Sequence, residues 1–153
     1  MRKLALFTAL ALAIAAPAHA DVGLGVFLGE PTGLDLKIGL SPRSGIDLLF
    51  GWDTYQDNRD HYGHLTYLLT PLVGHGTSVV VPVRVGIGVA VFDDGSFNNG
   101  TNVAARVPVE IGLRFRSVPL EIYGEVALKM TFIRSHGDPY ADLDGGIGLR
   151  FYF

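Results

Sequence analysis

The sequence predicts an all-β fold: an eight-stranded antiparallel up-and-down transmembrane β-barrel. Three observations carry that prediction. Apolar and polar residues alternate with period two between turn clusters along most of the chain beyond residue 20. Short connections and longer polar ones follow one another in order. The apolar faces together are too bulky to fit inside so narrow a barrel.

The alternation is clearest from Leu120 to Phe132. Leu120, Ile122, Val126, Leu128, Met130 and Phe132 share one face with Gly124, while Glu121, Tyr123, Glu125, Ala127, Lys129 and Thr131 share the other. In the stretch before it, Val103, Ala105, Val107, Val109, Ile111, Leu113 and Phe115 alternate against Arg106, Pro108, Glu110, Gly112, Arg114 and Arg116. Val79 to Phe92 repeats the pattern, with seven Val or Ile residues set opposite Arg84, Gly86, Gly88 and Ala90.

Read in the same way, the chain yields strands near Val22–Gly29, Gly33–Leu40, Gly45–Trp52, His61–Thr70, Val79–Phe92, Asn102–Arg116, Leu120–Phe132 and Ala141–Phe153. An even count suits barrel closure. Ser41-Pro42-Arg43-Ser44 and Ser117-Val118-Pro119 are tight connections, whereas Asp53–Asp60, Asp93–Thr101 and Ile133–Tyr140 are longer and polar. That asymmetry predicts short periplasmic turns, longer external loops and both termini of the barrel on the periplasmic side. The Glu30-Pro31-Thr32 hairpin is short for an external loop, and the turn predicted around Pro71–Thr77 is long for a periplasmic one.

Volume orients the faces. Eight strands with about five or six apolar side chains on one face carry roughly 45 of them, far more than a barrel of this strand number holds. Turned outward into water they would exceed any patch a soluble monomer tolerates, so they are expected to face lipid. A soluble barrel with a greasy pocket is the reading this argument rejects. Phe115, Phe151 and Phe153 are expected at the periplasmic rim, and Trp52, Tyr62 and Phe132 at the external one.

The start of the chain reads as an export signal. Arg2 and Lys3 precede an apolar run from Leu4 to Ala16, too short to span a bilayer, and Ala18-His19-Ala20 offers small residues for cleavage before Asp21. The expected organisation is a signal peptide over 1–20 and an outer-membrane barrel over 21–153. Taking Arg2 and Lys3 from the 12 basic residues leaves ten against 15 acidic ones, a net charge of about −5, which argues against a nucleic-acid partner. No cysteine is present for a disulfide, a thiolate nucleophile or a lipid anchor.

The inward faces collect Asp35, Lys37, Asp47, Arg84, Arg106, Glu110, Arg114, Glu121, Glu125, Lys129, Asp142, Asp144 and Arg150, with signs nearly balanced. These predict a plug of ion pairs inside the barrel. Pro82 and Pro108 each remove a ladder donor where a closed barrel has no edge, so local bulges are expected there. Chemistry is harder to find. His61, His64, His136, Ser96 and Ser135 lie near external ends without a diagnostic spacing, and His75 sits in a turn. Asp53, Asp57 and Asp60, and Asp93 and Asp94 with Asn98 and Asn99, match no defined metal loop and read as solvated turns. Asn99-Gly100-Thr101 reads as a chance sequon. No catalytic, cofactor-binding or metal-ligating set is expected.

The end Ile147-Gly148-Leu149-Arg150-Phe151-Tyr152-Phe153, with Leu149, Phe151 and Phe153 at alternate places, resembles the C-terminal assembly signal of outer-membrane proteins. The resemblance implies recognition by the barrel-assembly machinery. The stretch from residue 21 onward resembles small eight-stranded barrels of the OmpA or OmpX type in architecture, and Gly29-Glu30-Pro31-Thr32-Gly33-Leu34 is similar to uncharacterised bacterial outer-membrane families. Together these imply a non-enzymatic barrel in the bacterial outer membrane. Its partners would be lipid and lipopolysaccharide, its role structural or in surface interaction, and its oligomeric state is left open. A narrow ion-conducting channel is the alternative, suggested by the charged lumen; a lipid A-modifying enzyme is a further one, suggested by barrel size alone.

Overall fold

The computed structural model describes residues 21–53, 60–93, 100–134 and 138–153. Within them the chain forms eight strands: β1 (Val22–Glu30), β2 (Thr32–Ser41), β3 (Ser44–Asp53), β4 (Asp60–His75), β5 (Val79–Asp93), β6 (Thr101–Phe115), β7 (Leu120–Ile133) and β8 (Tyr140–Tyr152). Each pairs antiparallel with its sequence neighbours. β8 returns to β1 through Gly23↔Tyr152, Val26↔Leu149 and Glu30↔Gly145, so the order β1 to β8 closes on itself. The fold is an all-β, up-and-down closed barrel, and no ladder of the sheet is left open.

The strands form where β-branched and aromatic residues recur every second place, and the pleat sends each set to one face. In β7, Glu121, Tyr123, Glu125, Ala127, Lys129 and Thr131 are buried inside, while Ile122, Val126, Leu128, Met130 and Phe132 are exposed outside. The same division runs around the barrel. Leu24, Phe50, Leu65, Ile87, Ile111 and Ile147 are all outward and exposed, with Leu149, Phe151 and Phe153 continuing that face to the chain end. An apolar exterior around a charged interior inverts the arrangement of a water-soluble core.

Close approach of neighbouring strands explains one pair of glycines. Gly33 and Gly51 face each other across β2 and β3, and a Cβ on either would meet the backbone of the opposite strand. Room for larger interior groups comes from Ala90, Ala104 and Ala127, each fully buried.

The turns differ from expectation in two places. The segment around Pro71–Thr77 is not a long turn: β4 runs on to His75, and the connection to β5 shrinks to residues 76–78. Leu69 pairs with Val85 but Leu72 with Val83, so β4 carries one extra residue around Pro71. The irregularity sits at the residue that has no N–H to give, and it flips the inward phase, leaving Leu72 exposed.

The expected bulges at Pro82 and Pro108 do not form. The β5–β6 register is the same on both sides of each, from Val80↔Arg114 through Val83↔Ile111 and Val85↔Val109 to Gly88↔Arg106. This register sets Gly112 opposite Pro82 and Gly86 opposite Pro108; a Cβ on Gly112 would lie 3.1 Å from the Pro82 ring. A glycine across the ladder makes space for each ring, and the ladder lapses locally without an offset.

The export-signal reading of 1–20 and its cleavage after Ala20 fall outside the described residues, as do Asp57, Asp94, Ser96, Asn98, Asn99, Ser135 and His136.

Candidate functional site: the ion-paired interior

β8 carries the centre of the interior. Inward parity places Arg150 between Gly25 of β1 and Glu121 of β7, and its fully buried guanidinium gathers carboxylates from four other strands. Nε donates to Asp35 at 2.5 Å, Nη2 to Asp47 at 2.7 Å, and Nη1 to Glu110 at 2.9 Å and Glu121 at 3.4 Å. The ring of Tyr123 lies 3.6 Å from the guanidinium centre, and its hydroxyl donates to Asp35 at 2.5 Å. A planar, permanently charged fork suits this multidentate position better than an ammonium would.

Arg84 completes the lower cluster. It bonds Glu110 and takes both oxygens of Glu121 at 2.8 and 2.7 Å, so Glu110 and Glu121 are each shared between two arginines. Tyr152 donates to Glu121 at 3.2 Å.

A second cluster forms around Arg106, which bonds Glu125 at 2.5 Å and the Thr66 hydroxyl at 3.0 Å. His64 Nε2 lies 3.0 Å from Arg106 Nη1 and 3.2 Å from Asp47. One imidazole nitrogen cannot accept from the first and donate to the second. With the proton on Nε2, His64 donates to Asp47 and the buried Nδ1, which has no partner, is left as a bare acceptor. The other tautomer would bury an unpaired N–H, the more expensive orphan. Near the loop end Lys129 bonds Asp144 at 2.7 Å under the rings of Phe92 and Tyr62, and Tyr62 donates to Asp144 at 3.3 Å.

Most of the residues expected in the lumen are thus brought into this network, and three are not: Lys37 is buried beside it without a hydrogen bond or ion pair among the described residues, and Asp142 and Arg114 lie toward the two ends of the barrel. Asp142 is exposed at the start of β8, where its carboxylate accepts the N–H of Leu143 at 2.8 Å. Lys129, its cross-strand neighbour, turns instead to Asp144, one inward step deeper. Arg114 is half-buried at the mouth near Asp21 and the end of β8, where it clasps Asp21 and covers the Tyr152 ring at 4.0 Å. Asp142 and Arg114 both keep inward parity, but parity does not report how far along the barrel the enclosed interior extends.

Tyr62 is corrected from the outer rim to the interior, where it is buried with His64, Thr66 and Leu68 along β4. Their shared even parity was the available signal. Trp52 and Phe132 do lie outside and exposed. His61 pairs with Asp93 at 3.3 Å on the surface of the loop end. The contributions of Thr66 and the tyrosine hydroxyls were not singled out from the sequence, because uncharged residues carry no charge pattern to mark them; His64, expected near an external end, is instead buried in the interior between Asp47 and Arg106.

The arrangement is one of mutual satisfaction. The buried carboxylates Asp35, Asp47, Glu110, Glu121, Glu125 and Asp144 each hold a cation or imidazole, and the aromatic hydroxyls supply further donors. Gly148 is part of the fit: a Cβ there would overlap the Tyr123 ring. Gly148→Ala is therefore expected to displace Tyr123 from Arg150 and Asp35 and to lower stability by about 1–3 kcal/mol. Urea unfolding in lipid vesicles, followed by the emission of Trp52, the single tryptophan, measures it.

No protein-family model, curated protein or solved structure matches this chain.

Proposed function

We propose that the chain is a non-enzymatic integral β-barrel of the bacterial outer membrane, with a structural or surface-interaction role. The observation that carries this reading is the barrel's exterior: leucine, isoleucine, valine and phenylalanine are exposed on all eight strands, while most of the strand charges are turned inward and paired. A soluble monomer would gain nothing from such a surface and would aggregate through it. A bilayer satisfies it, and a closed ladder satisfies the backbone.

On this reading the end bearing the chain termini and the short turns faces the periplasm, the 1–20 segment is the export signal, and outward Leu149, Phe151 and Phe153 serve the assembly machinery. Lipid and lipopolysaccharide are the partners of the apolar wall and the loop end, and nucleic acid is not one. The interlocked arginines and carboxylates favour a closed wall over a conducting lumen, so planar bilayers are expected to record no discrete conductance.

The test is electrophoretic. The chain extracted in detergent is expected to run as a compact, β-rich band in cold SDS and to shift on heating. A protein that stays soluble and monodisperse without detergent would refute the membrane reading.

A further inference from the structure

Below the Arg150–Arg84 cluster the interior is not filled. A cavity of about 550 Å³ runs from the exposed β2–β3 turn at Ser41 and Pro42 up to Lys37 and Arg84. Its wall holds three cations, Lys37, Arg84 and Arg114, with the hydroxyls of Ser44 and Thr70. Asp21 is the one acid on that wall, and Arg114 already holds it.

Lys37 is the informative residue. It is 8% exposed, yet its ammonium forms no hydrogen bond or ion pair among the described residues. The register explains why. On β1 it faces Gly23, which has no side chain, and on β3 it faces Asp47, whose carboxylate is engaged by Arg150 and His64. Arg84, the other deep cation, is taken by Glu110 and Glu121. A buried, compact ammonium with no hydrogen bond or ion pair of its own is costly, and here it borders a space large enough to admit an anion.

We infer that this cavity is an oxyanion site, taking a phosphate group that enters through the mouth beside the β2–β3 turn and is held by the Lys37 ammonium. A tetrahedral oxyanion can accept from donors on several sides at once, and Lys37, Ser44 and Thr70 all line this one space. The apolar wall segments, Leu40, Val73 and Val80, also suit a phosphate that carries a carbon chain. Two sources share this chemistry: free phosphate or phosphoesters, and the headgroup of a phospholipid at the rim. The inference goes beyond the membrane reading and needs only the folded barrel.

Lysine occurs only at positions 3, 37 and 129, so the test is an NMR titration of the full chain, labelled with 13C at lysine Cε, in neutral detergent. Loss of one signal in Lys37→Met identifies Lys37. Inorganic phosphate is titrated against chloride at matched ionic strength, and in a separate arm an anionic phospholipid is added to the micelles without phosphate. The Lys37 signal is expected to shift saturably while that of Lys129, paired with Asp144, stays in place. In Lys37→Met the phosphate dependence of the Gly39 and Gly45 amides, which line the cavity, is expected to weaken about tenfold or more. Saturation by free phosphate identifies a soluble ligand, and saturation by lipid alone identifies a headgroup; either supports the site. A Lys37 signal that moves in neither arm, or only in step with Lys129, overturns it. Should Lys37→Met fail to fold, the titration of the unaltered chain decides the matter by itself.

Discussion

Arg150→Met is expected to be the most damaging single substitution in this barrel, lowering its stability by about 3–5 kcal/mol or preventing the heat-modifiable form from accumulating. The change keeps an unbranched apolar stem but removes the guanidinium, leaving carboxylates from four strands without their common cation. They do not suffer equally. Glu110 and Glu121 retain Arg84, and Asp47 retains His64, whereas Asp35 keeps only the Tyr123 hydroxyl. Arg150→Met combined with Asp35→Asn should therefore recover part of the loss, whereas Asp35→Asn alone should destabilise. The measurement is a double-mutant cycle from urea midpoints in lipid vesicles. Strict additivity of the two changes would contradict Arg150 as the organising cation. Arg150→Lys should fall between, since one ammonium cannot present a planar fork to several acids.

The second large effect lies on the opposite face. Val126 is 59% exposed at the middle of β7, between Val109 of β6 and Gly145 of β8. Val126→Arg is expected to cost about 2–4 kcal/mol in a bilayer, while Ile133→Arg, at the loop end of the same strand, should cost about 0–1 kcal/mol. The gradient separates the two environments that an exposed valine can have. In water an arginine at either place is harmless, because the side chain touches only solvent. Equal and negligible costs at both positions in vesicles would therefore count against the membrane reading while leaving the closed barrel intact.

The strand pattern was legible because a pleated strand converts sequence parity directly into inside and outside. Glu121, Glu125 and Lys129 are assigned to the lumen by nothing more than their alternation with Ile122, Val126 and Leu128. Strand ends agree within about two residues wherever a polar cluster or proline interrupts the alternation, as at Ser41–Ser44 and Ser117–Pro119. The reading fails where parity is reset or where it is not enough. Pro71 shifts the phase of β4 through an inserted residue, so the end of that strand resembles a turn. Pro82 and Pro108 behave in the opposite way, because the glycines that accommodate them lie on another strand and are invisible until the register is known.

Sequence by itself determined the fold class, the number and order of strands, and the face on which each charge lies, since all three follow from local alternation and turn chemistry. Only the tertiary structure decided which charge meets which. Arg150 joins groups up to 115 residues away in sequence, Lys37 is left without a partner, and Asp142 misses the interior that Asp144 reaches. Those outcomes depend on the stagger between strands and on where the enclosed space begins and ends. Both are properties of the closed barrel, in which residues distant along the chain share one cross-section.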